Sequence, residues 1–204
     1  MVPQDPYPRF NTDGPKPPHF RGLTLGRLDQ FESRISQVLF GHRVDDKEHV
    51  QLELWSSPGK EKTPFEEAIR KPFKPVQKGV VLGPSWTNHW FRVTLKVPES
   101  WSKAERVQLE FDPSCEGCVF DLEGCPLQGL TGGFDGSRRV EFILPADKRS
   151  STYKYYIEVS CNAMFGNGMG ETNGPPDNNR YFRLNSADLV VPRMEAWHLL
   201  WDFR

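Results

Sequence analysis

Trp90-Phe-Arg-Val-Thr-Leu-Lys-Val97 is the stretch on which the fold turns. Phe91, Val93, Leu95 and Val97 alternate there with Trp90, Arg92, Thr94 and Lys96. Successive side chains of an extended chain point to opposite faces, so this period of two predicts a half-buried β-strand. The pattern recurs on both sides of it. Upstream, Val50, Leu52 and Leu54 alternate with Gln51, Glu53 and Trp55. Downstream, Val107, Leu109 and Phe111 alternate with Gln108 and Glu110, and Val140, Phe142 and Leu144 with Glu141 and Ile143. Tyr155, Ile157, Val159 and Cys161 then alternate with Tyr156, Glu158 and Ser160, and Leu189, Val190 and Val191 read as a last strand closed by Pro192. Pro, Gly, Asp or Asn bounds each run.

Half-buried strands joined by turns must cover their apolar faces with one another. The expected fold is therefore mainly β, an antiparallel β-sandwich of jelly-roll or galactose-binding-like type. The totals agree. A chain of 204 residues with 37% hydrophobic and 12% aromatic residues carries too much apolar surface to stay disordered. Its 18 prolines and 17 glycines favour many turns over a helical bundle. Twenty-six basic against 27 acidic residues leave a net charge of -1, without the positive surplus that nucleic-acid binding requires. No apolar run reaches the length of a membrane span, and Met1-Val-Pro-Gln-Asp-Pro6 lacks the basic start and apolar stretch of a signal peptide. The expectation is synthesis in the cytosol, with no nucleic-acid and no membrane partner.

Four stretches follow along the chain. Residues 1–22, with prolines at 3, 6, 8, 15, 17 and 18, read as a flexible arm. Residues 23–72 read as a helical and strand preface packed on the sandwich. In it, Leu25, Leu28, Phe31, Ile35, Val38 and Leu39 form the stripe of an amphipathic N-terminal helix, capped by Thr24 and ended by Gly41. A short second helix is expected after Thr63, with Pro64 in the first turn and Glu66 completing a capping box, until Pro72 stops it. Residues 73–193 are the sandwich, with a long loop at Phe165–Asn179. Residues 194–204 read as the start of a connection to a further domain. Its apolar Trp197, Leu200 and Trp201 are expected to meet that domain or a second copy of the chain.

Chemistry-bearing residues are sparse. Cys115 and Cys118 form a C-x-x-C with Cys125 nearby, but no second pair completes a tetrahedral set, so reduced thiols are expected rather than a zinc knuckle. A glycosidase needs two carboxyl groups facing one cleft, and Asp112, Glu116, Asp121 and Glu123 sit near turns with nothing to make them converge. The five histidines are scattered, and the glycines of Met164-Phe-Gly-Asn-Gly-Met-Gly170 lack the Lys-Ser/Thr of a phosphate loop. No catalytic and no metal-binding residue is expected here. The aromatic cluster at Trp86 and Trp90, with Asn88 between them, supplies the candidate sugar contacts: rings to stack on a pyranose and an amide to bond its hydroxyls.

Several stretches, taken in order, resemble the N-terminal domain of class II α-mannosidases of the cytosolic and vacuolar type, in glycoside hydrolase family 38. They are Phe73-Lys-Pro-Val-Gln-Lys-Gly79, Gly83-Pro-Ser-Trp-Thr-Asn-His-Trp-Phe-Arg-Val93, Glu116-Gly-Cys-Val-Phe120 into Pro126-Leu-Gln-Gly-Leu-Thr131, Tyr156-Ile-Glu-Val-Ser-Cys-Asn-Ala163, and Pro175-Pro-Asp-Asn-Asn-Arg-Tyr-Phe-Arg-Leu184 through Trp197-His-Leu-Leu-Trp-Asp202. The resemblance implies a parent enzyme that hydrolyses α-linked mannose with retention, using zinc and an aspartate nucleophile. The family's zinc ligands begin with a His-x-Asp pair that this sequence lacks, so it implies a fragment inactive alone, with no cofactor of its own. It further implies packing on its own catalytic domain, homo-oligomer assembly, and delivery of the cytosolic protein to the vacuole by selective autophagy. The arm of residues 1–20 lies outside the resemblance; having no core of its own, it is free to be read by an autophagy receptor.

Overall fold

The Trp90–Val97 alternation becomes the centre of a six-stranded sheet. The computed structural model describes residues 18–132, 138–146, 152–162 and 177–203. Among these are twelve strands: β1 (Phe40–Val44), β2 (Val50–Ser56), β3 (Lys74–Val76), β4 (Val81–Leu82), β5 (Asn88–Lys96), β6 (Gln108–Asp112), β7 (Glu116–Phe120), β8 (Pro126–Thr131), β9 (Glu141–Ile143), β10 (Thr152–Ser160), β11 (Phe182–Arg183) and β12 (Ser186–Pro192). The larger sheet runs β3-β2-β5-β10-β7-β8, the smaller β1-β12-β6-β9, and β11 pairs with β4. Every named pair is antiparallel. The long loop expected at Phe165–Asn179 lies almost wholly outside the described residues, as does the arm before Pro18.

Register puts Phe91 opposite Leu54 on one side and Ile157 on the other, which brings like faces together across three strands. Phe91, Val93, Leu95, Leu109, Phe111, Ile157 and Leu189 are wholly buried between the sheets. Burying each such side chain contributes roughly 1.5–3 kcal/mol. Two edge-to-face ring pairs join the layers: Phe91 with Phe111 at 5.2 Å between centroids, and Phe142 with Tyr155 at 5.0 Å.

The outer face of the larger sheet is covered as well. Helix α2 (Phe65–Ala68) lays Phe65 on Trp90, Phe120 and Tyr156, at 5.9, 5.8 and 5.4 Å between centroids. Gly124 makes room for that ring: a Cβ there would stand 2.6 Å from the Phe65 ring, and its φ of +89° also suits only glycine. The capping box does not form. Thr63 is buried, with its hydroxyl held by Ser57 Oγ at 2.9 Å and its carbonyl by the Trp90 indole N–H at 3.2 Å. Pro64 takes the N-cap position without a side-chain cap.

By its own contacts the chain divides into two units, Phe40–Pro192 and a helical unit of residues 1–39 with 193–204. The boundary thus falls at Leu39, and residues 40–72 belong to the sandwich rather than to a separate preface. In the helical unit, α1 (Pro18–Gln37) and α3 (Met194–Phe203) meet through Phe31 and Phe203, 6.1 Å between centroids. Arg193 Nη1 donates to the Val38 carbonyl at 3.0 Å. Thr24 lies inside α1, which is already helical at Pro18, the first described residue, so it does not cap the helix. Gly41 sits in β1, which pairs with β12. The α1 stripe is largely uncovered: Leu25, Leu28, Phe31 and Val38 are exposed, Ile35 is half-buried, and Leu39 is buried. Two helices alone offer no further layer to bury such a stripe. Among the described residues no helix is long and apolar enough to cross a membrane.

Candidate functional site

The β4–β5 loop, Gly83-Pro-Ser-Trp-Thr87, is held by hydrogen bonds and close packing on several sides. Its first peptide, Gly83–Pro84, is cis, and Gly83 has a φ of +132°. A Cβ at Gly83 would stand 2.9 Å from Tyr181 Cδ1 and 3.3 Å from the Arg180 carbonyl oxygen, so the segment before β11 packs directly on the loop. Ser85 Oγ donates to the Asp177 carbonyl at 2.6 Å, and Thr87 Oγ1 to the Pro84 carbonyl at 2.7 Å. The Trp86 N–H donates to the Cys161 carbonyl at 2.9 Å, and the Cys161 N–H to the Thr87 carbonyl at 3.0 Å. His89 supports the loop from below. The Gly83 N–H can only donate, so Nε2 at 3.2 Å presents its lone pair and Nδ1 carries the proton, which goes to Ser56 Oγ at 2.7 Å.

This clamp holds Trp86 at φ 71°, a left-handed conformation that costs a bulky residue roughly 1–3 kcal/mol. The ring is 41% exposed. Tyr181, which packs on Gly83 of this loop, is 62% exposed, and Arg180 lies over the Phe182 ring at 4.9 Å. Tyr181, Arg180, Arg183, Asn185, Ser114 and Val81 line a shallow cavity of about 310 Å³.

Of the three sugar contacts expected from sequence, Trp86 alone is exposed. Trp90 is 1% exposed and locked between Phe65 and Phe120, so neither ring face can meet a ligand. Asn88 is buried, its amide donating to Glu158 Oε1 at 2.8 Å and its oxygen accepting from Ser57 Oγ. Tyr181 was not singled out in sequence. Its alternation with buried Phe182 and Leu184 is the signal that marks it, with Arg183, as facing outward. In α3, Trp197 and Trp201 pair at 6.2 Å and Trp201 is half exposed, whereas Leu200 is buried and offers nothing to a partner.

A family model described as the jelly-roll domain of α-mannosidase matches residues 47–190, which is most of the sandwich just described. This chain belongs to that family. The jelly-roll chain is 34% identical over 178 residues to α-mannosidase G of Dictyostelium discoideum, covering 85% of this chain and 16% of that protein. It is 40% identical over 141 residues to an α-mannosidase of Saccharomyces cerevisiae, covering 68% of this chain and 12% of that one. Mouse α-mannosidase 2C1 is 35% identical over 189 residues, with 90% and 18% covered. The jelly-roll chain thus spans less than a fifth of the length of these relatives.

Three of the four candidate carboxylates of the jelly-roll domain hold its own structure. Asp112 accepts from the Ser114 N–H at 2.8 Å and pairs with Arg138 at 3.3 Å. Glu116 accepts from Asn162 Nδ2 at 2.6 Å. Asp121 accepts from the N–H groups of Glu123 and Cys125, at 3.0 and 2.8 Å, which closes the β7–β8 turn. Among the described residues no three His, Cys, Asp or Glu side chains gather as a metal set. The C-x-x-C splits because Cys118 lies on β7 and Cys115, just before it, has the opposite parity. Cys115 faces the core, while Cys118 lies half-buried on the other face.

Proposed function

We propose that this chain is a non-catalytic N-terminal domain of an α-mannosidase whose zinc and aspartate nucleophile lie in the rest of the longer protein. The observation that carries this reading is the engagement of Asp112, Glu116 and Asp121 in turns and ion pairs rather than in a common cleft. A retaining glycosidase requires two carboxyl groups about 5–5.5 Å apart across the scissile bond. The domain's work is packing against its catalytic partner and supporting assembly of the parent enzyme. The chain alone is expected to show no turnover of an aryl α-mannoside, with or without added zinc. Turnover that persists after purification by a second route overturns the reading.

A second role is favoured by the clamp under Trp86: an accessory platform for a mannose oligosaccharide. A left-handed tryptophan held at the surface by backbone hydrogen bonds supplies a ring for stacking, and Tyr181, packed on Gly83 of the same loop, supplies a second exposed ring. Titration with a mannose oligosaccharide is expected to change tryptophan fluorescence saturably in the wild type. Trp86→Ala is expected to weaken that response at least tenfold with an unchanged melting midpoint. An equal response in Trp86→Ala and Tyr181→Ala removes the platform.

A further inference from the structure

We infer that Cys115 and Cys161 form an oxidisable dithiol, which closes to a disulfide in the native chain when a small peroxide reaches it. Three observations carry this. Ser160 pairs with Glu116 at the end of the β10–β7 ladder, and Cys161 and Cys115 are the residues immediately outside that pair. A disulfide spans Cα atoms roughly 4.4–6.8 Å apart. Second, both side chains lie in the core, where the Cys115 thiol donates to the Pro113 carbonyl at 3.3 Å and the two sulfurs are close enough to act on each other. Third, the His89 imidazole and the Thr87 hydroxyl also lie against Cys161. The same contacts separate the two thiols. The Cys115 hydrogen bond, with those of His89 and Thr87, holds the Cys161 thiol down against its burial, while burial and Cys161 push the Cys115 thiol up.

Both residues are at most 1% exposed, so the oxidant must be small. The Cys161 sulfur attacks one peroxide oxygen. The O–O bond breaks, and the departing hydroxide takes the Cys161 thiol proton and leaves as water. The Cys115 sulfur then attacks the sulfenic sulfur of Cys161, the S–O bond breaks, and hydroxide leaves with the Cys115 proton as a second water. Two thiols are oxidised and one peroxide is reduced to two waters. The bridge would tie the start of β7 to the strand end whose backbone holds Trp86.

The test uses the full native chain, hydrogen peroxide, and non-reducing digestion with mass spectrometry. The expected product is a Cys115–Cys161 linked peptide lighter by two hydrogens. Cys118 and Cys125 should remain open to alkylation. The oxidised chain should melt about 10 °C higher, reversibly with a dithiol reductant. Cys115→Ser should leave Cys161 as a sulfenic acid trapped by dimedone. The linked wild-type peptide decides the matter even if that variant folds poorly. A Cys118–Cys125 link, overoxidation of Cys161 beside a free Cys115, or a Cys115–Cys161 link that forms only in urea would each overturn the inference.

Discussion

Trp90→Ala is expected to destabilise the chain by about 4 kcal/mol, read as a lower urea midpoint by far-UV circular dichroism at unchanged slope. The ring is 1% exposed and sits among Phe65, Phe120 and the α2 segment. Removing it opens a cavity too large for a four-residue helix to fill by shifting, and it leaves the Thr63 carbonyl without the indole N–H that bonds it. Trp90→Phe keeps most of the ring and loses the hydrogen bond, so it should recover more than half of the difference. A loss below about 1 kcal/mol in Trp90→Ala is the size of an ordinary surface change and would place the ring outside the packed layer.

Phe91→Ala, one residue on, is expected to cost as much for a different reason. Phe91 is wholly buried on the opposite face of β5, and its edge-to-face contact with Phe111 joins the two sheets. The expected loss is about 3–5 kcal/mol. It should couple to Phe111→Ala, so that the double variant loses less than the two single losses together. Trp90→Ala and Phe111→Ala share no contact of this kind and should add. Strict additivity of Phe91→Ala and Phe111→Ala would deny the inter-sheet contact its energetic role.

These neighbours show where sequence reading succeeded and where it stopped. The alternation from Trp90 to Val97 correctly placed Phe91, Val93 and Leu95 in the core, since the parity of a strand is local and every second side chain shares a face. It also put Trp90 on the outer face, which is true. It could not say that the outer face is itself covered, because the cover arrives from Phe65 and Phe120 on other segments. The same limit explains Asn88, whose partners Ser57 and Glu158 come from two other parts of the chain. Thr63 carried every local mark of a cap, yet Ser57 and Trp90 engage its hydroxyl and carbonyl instead.

By itself, then, the sequence determined six of the twelve described strands (β2, β5, β6, β9, β10 and β12), their core faces, the sandwich class and the apolar helical ends. Each rests on a period or a turn residue that acts over a few positions. The other six, β1, β3, β4, β7, β8 and β11, carried no alternation long enough to read. The tertiary structure alone decided that Trp86 stands at the surface while Trp90 does not, that Tyr181 joins it, and that Cys115 meets Cys161 instead of Cys118. Those outcomes depend on which distant strands become neighbours. Burial of a side chain is set by what packs over it, and packing joins residues whose separation along the chain carries no local signal.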